Sequence, residues 1–388
     1  MTMKRLVDED LTSRMIAFRR ELHSFPELSL EEEQTSKKIA SQLDELNIPY
    51  RTNVGGYGIV ADLRSEVEGP TIALRADMDA LPIEEETNLP YASTRKGIMH
   101  ACGHDAHTAI LLGAAELLQR EKLNGHVRFI FQGAEELNLG AKAMIEAGVL
   151  DEVEEIYGLH NLPTLSAGKL ATCTGSMMGS VDRIDIRIEG KGAHGAIPNE
   201  GVDPILCASA IVMALQSIVS RELSPFDPAV ITIGSIKAGD ANNVIPQYAT
   251  LSGTVRTFNP LIQRTMQTRI ERILKNTADS YRCSAKLTYT EQVPVLVNDE
   301  QSAFVVNEAI DNVIGSEHRI EAAPTLAGED FSLYLEKIPG CFFWLGSGPM
   351  QRAHEAYGLH HPRFTLDESC LPIGAVVLAQ IVKQRLGT

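Results

Sequence analysis

An α/β protein is predicted, with a central, mostly parallel sheet flanked by helices and a second module inserted into it. Three observations predict this. Apolar runs of strand length alternate with helix-periodic segments before residue 180 and again after residue 294. Between them the texture changes to strands alternating strictly between apolar and polar residues, in the order βαββαβ, a ferredoxin-like arrangement. At 388 residues the chain also exceeds one core of ordinary size, so two domains are expected.

Taken in order, residues 11–47 read as two amphipathic helices separated at "HSFPELS", where Pro26 stops the first. "GYGIVADLR" (56–64) and "TIALRADMDALP" (71–82) are strand-like, each an apolar run bounded by Gly or Pro. "AHTAILLGAAELLQREK" (106–122) carries apolar residues at helical spacing. A strand and loop follow in "HVRFIFQGAEE" (126–136), then a helix in "GAKAMIEAGVL" (140–150) and a buried strand in "EIYGLHNLP" (155–163). In the insert, "VDRIDIRIEG" begins a strand near residue 181, and residues 203–222 form a helix. Strands at 230–239 and 247–258, a helix at 260–281 and a strand at 284–293 complete it. Helix and strand patterns then return in "SAFVVNEAIDNVI", "FSLYLEKI", "CFFWLG" and "LPIGAVVLAQIVKQRL".

The composition narrows the function classes. A formal charge of −16 disfavours nucleic acid and anionic membranes as partners. The N-terminal "MTMKRLVDEDLTSR" places acidic residues where a signal peptide needs an apolar stretch. No membrane-spanning run is expected, and the cytosol is the expected compartment. The six cysteines form no CxxC pairs, so neither a zinc finger nor a disulfide framework is expected.

Ligands of α/β sheets gather beyond the carboxyl ends of the strands. Three groups of metal-capable side chains fall at such places: "HACGHDAH", "AEE" (134–136) after a strand, and His160 late in another. A fourth lies in "YGLHHPRF" (357–364). Thiolate, imidazole and carboxylate are the donors a borderline divalent metal takes up. Cys102 and His104 are two residues apart, so an extended segment would present both on one side. Asp105 is placed to orient a ligating histidine. His23, His126, His318 and His354 read as ordinary side chains.

The motifs "RADMDALPI", "MHACGHDAHTAILLGAA", "QGAEE", "GLHNLP", "GKGAHGAIPNEGVDP", "NVIP", "GTVRT", "AGEDFS" and "LHHPRF" occur in the order found in metal-dependent aminoacylases and amidohydrolases. Over essentially its whole length the chain resembles that branch of the dinuclear zinc-peptidase superfamily, which includes hippurate hydrolases, auxin-conjugate hydrolases and N-acetyl-amino-acid deacetylases. The resemblance implies a catalytic α/β/α domain over 1–179 and 294–388, and a lid and dimerisation domain over 180–293. It implies metal ligands at Cys102, His104, Glu136, His160 and His360, with His361 adjacent to the last. Glu135 matches the general base, and Asp79 an aspartate behind the metal centre, with Asp77 the neighbouring candidate. In the lid, His194 matches a residue that steadies the oxyanion, usually from a partner subunit. Asn243, Arg256 and Gly328 match substrate-contacting positions, although Arg256 in a strand-face salt bridge is the competing reading. Three positions depart from the usual pattern: Gly133 stands where Pro is common, Ala193 where Gly is, and Asn199 where a second histidine often is.

The implied reaction is hydrolysis of the amide bond of N-acyl amino acids. The implied cofactors are two divalent ions per subunit, Zn²⁺ or Mn²⁺, with Co²⁺ or Ni²⁺ also compatible. A homodimer or higher homo-oligomer through the lid is implied as well. Two consecutive glutamates suit this chemistry, because one can face the ion while the other takes the proton of the attacking water. The alternatives are a dipeptidase or carboxypeptidase of the same superfamily, and a catalytically silent metal-binding or redox-sensing dimer with Cys102 as its reactive thiol.

Overall fold

Eight strands form the central sheet of the computed structural model, which describes residues 7–350 and 353–387. The sheet order is Tyr50–Val54, Gly58–Leu63, His126–Gln132, Thr71–Asp77, Val153–Ser166, Gly340–Gly348, Leu170–Thr172 and Arg319–Glu321. The four strands from His126–Gln132 to Gly340–Gly348 are parallel, and antiparallel pairs flank them. Tyr50–Val54 and Gly58–Leu63 pair antiparallel because only a tight turn joins them. The polar sequence "YRTNV" gives the first of these strands no apolar pattern, so periodicity passes over it.

The parallel strands are covered on both faces, which is why they read as continuous apolar runs. All seven residues of Thr71–Asp77 are buried. On one face Leu74, Phe129 and Phe131 share a core with the helices Glu9–Ser24, His104–Gln119, Glu300–Ile314 and Cys370–Leu386. Truncating either phenylalanine to alanine should cost about 3–5 kcal/mol. Phe342 packs on Phe331 at 4.9 Å between ring centroids, and both rings lie outside that core. The helix His104–Gln119 starts two residues earlier than its apolar pattern, directly after Gly103, whose φ of 93° only glycine adopts easily.

These elements belong to a unit made of Met1–Met177, Val297–Ala323 and Glu329–Thr388. The second unit comprises Met178–Leu296 and Pro324–Gly328. The short return segment is absent from the sequence reading. It belongs here because Gly179 N–H donates to the carbonyls of Thr325 and Ala327 at 2.9 and 3.1 Å. Residues 1–6, part of the stretch read as lacking an apolar leader, lie outside the described residues.

In the second unit four antiparallel strands run in the order Ala229–Ala238, Tyr248–Thr257, Val181–Glu189, Ser284–Val293. Ile184, Ile186 and Ile188 turn to one face and meet the helices Pro204–Ser217 and Pro260–Ser280. Both helices begin with proline behind a capping side chain: Asp203 accepts from Ile205 N–H, and Asn259 from Leu261 N–H. The stretch Pro204–Glu222 is long and apolar enough, by length and composition alone, to cross a membrane. Cys207, Ile211 and Leu215 face the core of the unit, while Ile205, Leu206 and Met213 add apolar residues on the exposed side.

Candidate metal centre

The parallel strands deliver their carboxyl ends to one place. Asp77 ends one strand and pairs with Gln132 at the end of the next, after which the chain turns through Gly133 and Ala134 into Glu135 and Glu136. His160 lies on the neighbouring strand, beside Trp344. Cys102 and His104 arrive from the loop that starts the buried helix, and His360 from the C-terminal segment.

The five expected ligands converge. Cys102 Sγ lies 3.3 Å from His160 Nε2 and 3.3 Å from His360 Nε2. His360 Nε2 is 3.4 Å and His104 Nε2 3.9 Å from Glu136 Oε1. Three overlapping sets, Cys102–His104–His160, Cys102–Glu136–His360 and His104–Glu135–Glu136, each have donor atoms within 4.8 Å of one another. His104 Nε2 and Glu136 Oε1 are buried and have no hydrogen-bond partner among the described residues. Buried polar atoms are ordinarily satisfied, so two orphans facing a sulfur, nitrogen and oxygen donor set fit a divalent cation. His361 does not share this place; it stacks on Tyr357 at 4.3 Å and its Nδ1 accepts from Arg363 N–H.

Supporting groups fix which nitrogen each ring presents. Asp79 Oδ1 lies 3.2 Å from His104 Nδ1, while its Oδ2 accepts from Ser29 Oγ at 2.7 Å and from Glu136 N–H at 3.1 Å. His160 Nδ1 donates to Asn161 O at 2.8 Å. Both rings therefore keep Nε2 for the centre. His107 is scaffold, since Nδ1 meets Asp77 Oδ1 at 2.5 Å and Nε2 accepts from Asn161 N–H at 2.9 Å. Asp105 corrects an expectation. It reaches no ligating histidine but binds Arg19 Nε at 2.7 Å and His23 Nδ1 at 2.8 Å, because its helix turn faces Glu9–Ser24. His23, read as ordinary, is thereby part of a buried charged network with Glu85.

In the second unit His194 is exposed on the two-residue strand Ala193–His194, paired with Val244–Ile245. Gly195 N–H donates to Asn243 O at 2.8 Å, so His194 and Asn243 stand together. His194 Nδ1 accepts from Ala196 N–H at 3.1 Å, which leaves the proton on Nε2. Arg256 donates through Nε to Thr254 Oγ1 at 3.1 Å and makes no ion pair among the described residues. A Cβ on Gly328 would come within 3.2 Å of Arg256 Nη1, so these two also adjoin.

The chain matches peptidase family M20/M25/M40 over residues 73–384. It belongs to that family. The N-acetyl-L-cysteine deacetylase of Bacillus subtilis (strain 168) is 43% identical over 378 residues, covering 97% of this chain and 89% of that one. An IAA-amino acid hydrolase ILR1-like 2 of Arabidopsis thaliana is 41% identical, covering 96% and 85%. A Bacillus subtilis crystal structure described as a dinuclear metal binding peptidase from the M20 family superposes with a TM-score of 0.87 at 39% identity, covering 98% and 100%. This M20 chain is accordingly a hydrolase.

Burial and crowding set the charge states of the M20 site. Burial, then Glu329, Asp330 and Glu136, push the Glu135 carboxyl well above its usual range. Burial, then Glu136 and Glu135, raise the Cys102 thiol well above its ordinary value. For His104 burial acts the other way, but Asp77, Asp79 and Glu136 lift it to about 10. The donor set thus holds protons that a bound dication would displace. Several residues that build the site escaped the sequence reading. Asn161 Nδ2 donates to Cys102 O at 2.5 Å, and a side chain on Gly103 would strike that amide. Arg75, fully buried, holds Asp77 at 2.7 Å, Asp330 at 2.8 Å and Glu329 at 3.1 Å. A charged residue inside the apolar run "TIALRAD" was the available signal for Arg75.

Proposed function

We propose that this M20 hydrolase cleaves N-acyl amino acids to a carboxylate and a free amino acid, with Glu135 as general base. The observation that carries the reading is the pair of orphaned atoms, His104 Nε2 and Glu136 Oε1, among five converging donors beside Glu135. Cys102, His104, Glu136, His160 and His360 would hold two divalent ions, Zn²⁺ or Mn²⁺ by their donor chemistry. Metal bound there supplies Lewis acidity and a water of lowered pKa.

The chain's own groups do the rest. Glu135 takes the proton of the attacking water and returns it to the leaving nitrogen, a role worth about 10²–10⁴ in rate. His194, with Nε2–H unengaged among the described residues, donates to the oxyanion of the tetrahedral intermediate. Arg256, half-buried and without an ion-pair partner among the described residues, binds the substrate carboxylate, and Asn243 and Gly328 contribute further substrate contacts. Asp79 keeps His104 in the ligating tautomer. Assembly through the lid is supported by the exposed Leu206 and Met213 on a helix whose opposite face is already core. Light scattering tests it, and a monomer at micromolar concentration would overturn it.

The central experiment compares Glu135→Gln with Glu136→Ala, by metal analysis and turnover of N-acetylmethionine. Glu135→Gln should keep its metal and lose about 10²–10⁴ in kcat. Glu136→Ala should lose both. Full turnover in Glu135→Gln overturns the assignment of the base. A second reading, carboxypeptidase or dipeptidase action, is favoured by 38% identity to the thermostable carboxypeptidase 1 of Saccharolobus solfataricus, over 94% of this chain and 93% of that one. A panel of N-acyl amino acids against dipeptides separates the two.

A further inference from the structure

We propose that Glu32 is a positioning residue for the Glu135–Glu136 pair, an inference that rests on the roles just given to those carboxylates. In the sequence Glu32 is the middle of three glutamates and looks like a solvated charge. In the structure Glu31 and Glu33 are exposed, while Glu32 is 1% exposed. It occupies the capping position of the helix Glu33–Glu45 yet makes no capping bond. Glu27 does that work, accepting from Thr35 N–H at 2.8 Å and Thr35 Oγ1 at 3.0 Å. The carboxylate of Glu32 is thereby free to turn away from its own helix.

It turns to the catalytic loop, where Glu32 Oε1 accepts from Ala134 N–H at 2.7 Å. Ala134 is the residue just before Glu135, and its φ of 52° lies in the left-handed region that a side chain disfavours. Such backbone persists only where its surroundings fix it from several sides. The carbonyl of Ala134 is fixed by Leu139 N–H at 3.2 Å and Gly140 N–H at 3.1 Å. The amide of Ala134 is fixed by Glu32. A Cβ on Gly133 would lie 2.6 Å from the same Oε1, so the loop is shaped around this carboxylate. Burial, reinforced by Asp79, pushes the Glu32 carboxyl up to about 7. A residue serving only to end a helix has no reason to bear that cost.

Glu32 thus holds the turn that aims Glu136 at the metal and Glu135 at the water. What matters is an acceptor oxygen of the right reach, whether or not it is charged. The test titrates Zn²⁺ into full-length, metal-free protein by calorimetry, with kcat and KM for N-acetylmethionine measured in parallel. Glu32→Ala should weaken Zn²⁺ binding about 10–100-fold and lower kcat in the same range at unchanged KM. Glu32→Gln, which keeps an acceptor at the same reach, should stay within about threefold of the parent. An alanine variant within that margin, or a glutamine variant as weak as alanine, overturns the proposal. If Glu32→Ala does not melt cooperatively, Glu32→Asp replaces it. Aspartate keeps the charge but stops one methylene short, so it should bind weakly while glutamine binds well; the opposite order overturns the proposal. Full turnover in Glu135→Gln would sink the base assignment alone, because Zn²⁺ affinity reports on Glu136.

Discussion

In the larger unit Cys102, His104, Asp79 and His160 are buried, and each is tied to a named partner. In the smaller unit His194 and Asn243 are exposed, and His194 sits on a two-residue ladder with Val244–Ile245. Rigid surroundings suit metal ligands, which must converge before an ion arrives. An exposed histidine on a short strand suits a group that acts only when substrate is present. The same contrast runs through the charges. Buried Asp105 faces Arg19 and is held ionised, whereas buried Asp182 is hydrogen-bonded by the neutral donors Gln263, at 2.9 Å, and Tyr289, at 2.7 Å, with Arg256 acting on it only from beyond ion-pair distance.

The sharpest break of this comparison is Asp105→Asn. Burial opposes ionisation there, but Arg19 and His23 overcome it and hold the carboxyl far below the usual range. A folded value depressed in this way stabilises the protein above about pH 4 and is lost as pH falls through that folded value. Asp105→Asn should therefore destabilise at neutral pH by about 3–5 kcal/mol, since it strands a buried arginine. Denaturant melts at pH 7 and about pH 2 check this, and the variant should show the shallower acid dependence. A variant as stable as the parent that has lost metal would return Asp105 to the metal site.

His194→Ala probes the other half. It should lower kcat by about 10²–10³, the usual cost of one oxyanion donor. Melting temperature and metal content should stay at parental values, because the ring is exposed and, among the described residues, bonds only Ala196 N–H. Loss of metal together with turnover would make His194 part of the nest and erase the contrast.

Which features were legible follows the same line. Donor chemistry is local, so "CGHD", "AEE" and the histidines announce themselves, and apolar periodicity located the major strands and helices. Positioning is not local. Glu32 and Ala134 are brought together across 102 residues, and Arg75 binds Asp330 across 255, with nothing in either segment to mark the pairing. Asp105 misled because adjacency to His104 in sequence says nothing about direction; consecutive helical residues point about 100° apart. Short strands such as Leu170–Thr172 and Arg319–Glu321 are too brief for any period to register.

The smallest expected effect belongs to Asp182. Burial raises its carboxyl, and Gln263 and Tyr289 only partly offset this. Its sign is opposite to that of Asp105: a folded value above the unfolded one means the folded state prefers the proton, so a penalty accrues as pH rises through that folded value. Asp182→Asn removes the penalty and keeps an oxygen that can accept a hydrogen bond. Stability at pH 7 should rise or stay level, within about 1 kcal/mol, and the gain should vanish near pH 3. Melts at the two pH values measure it. A loss above about 2 kcal/mol at pH 7 would mean that the fold relies on Asp182 as an anion, with Arg256 as its counter-charge, and the proposed substrate-binding arginine would then already be engaged.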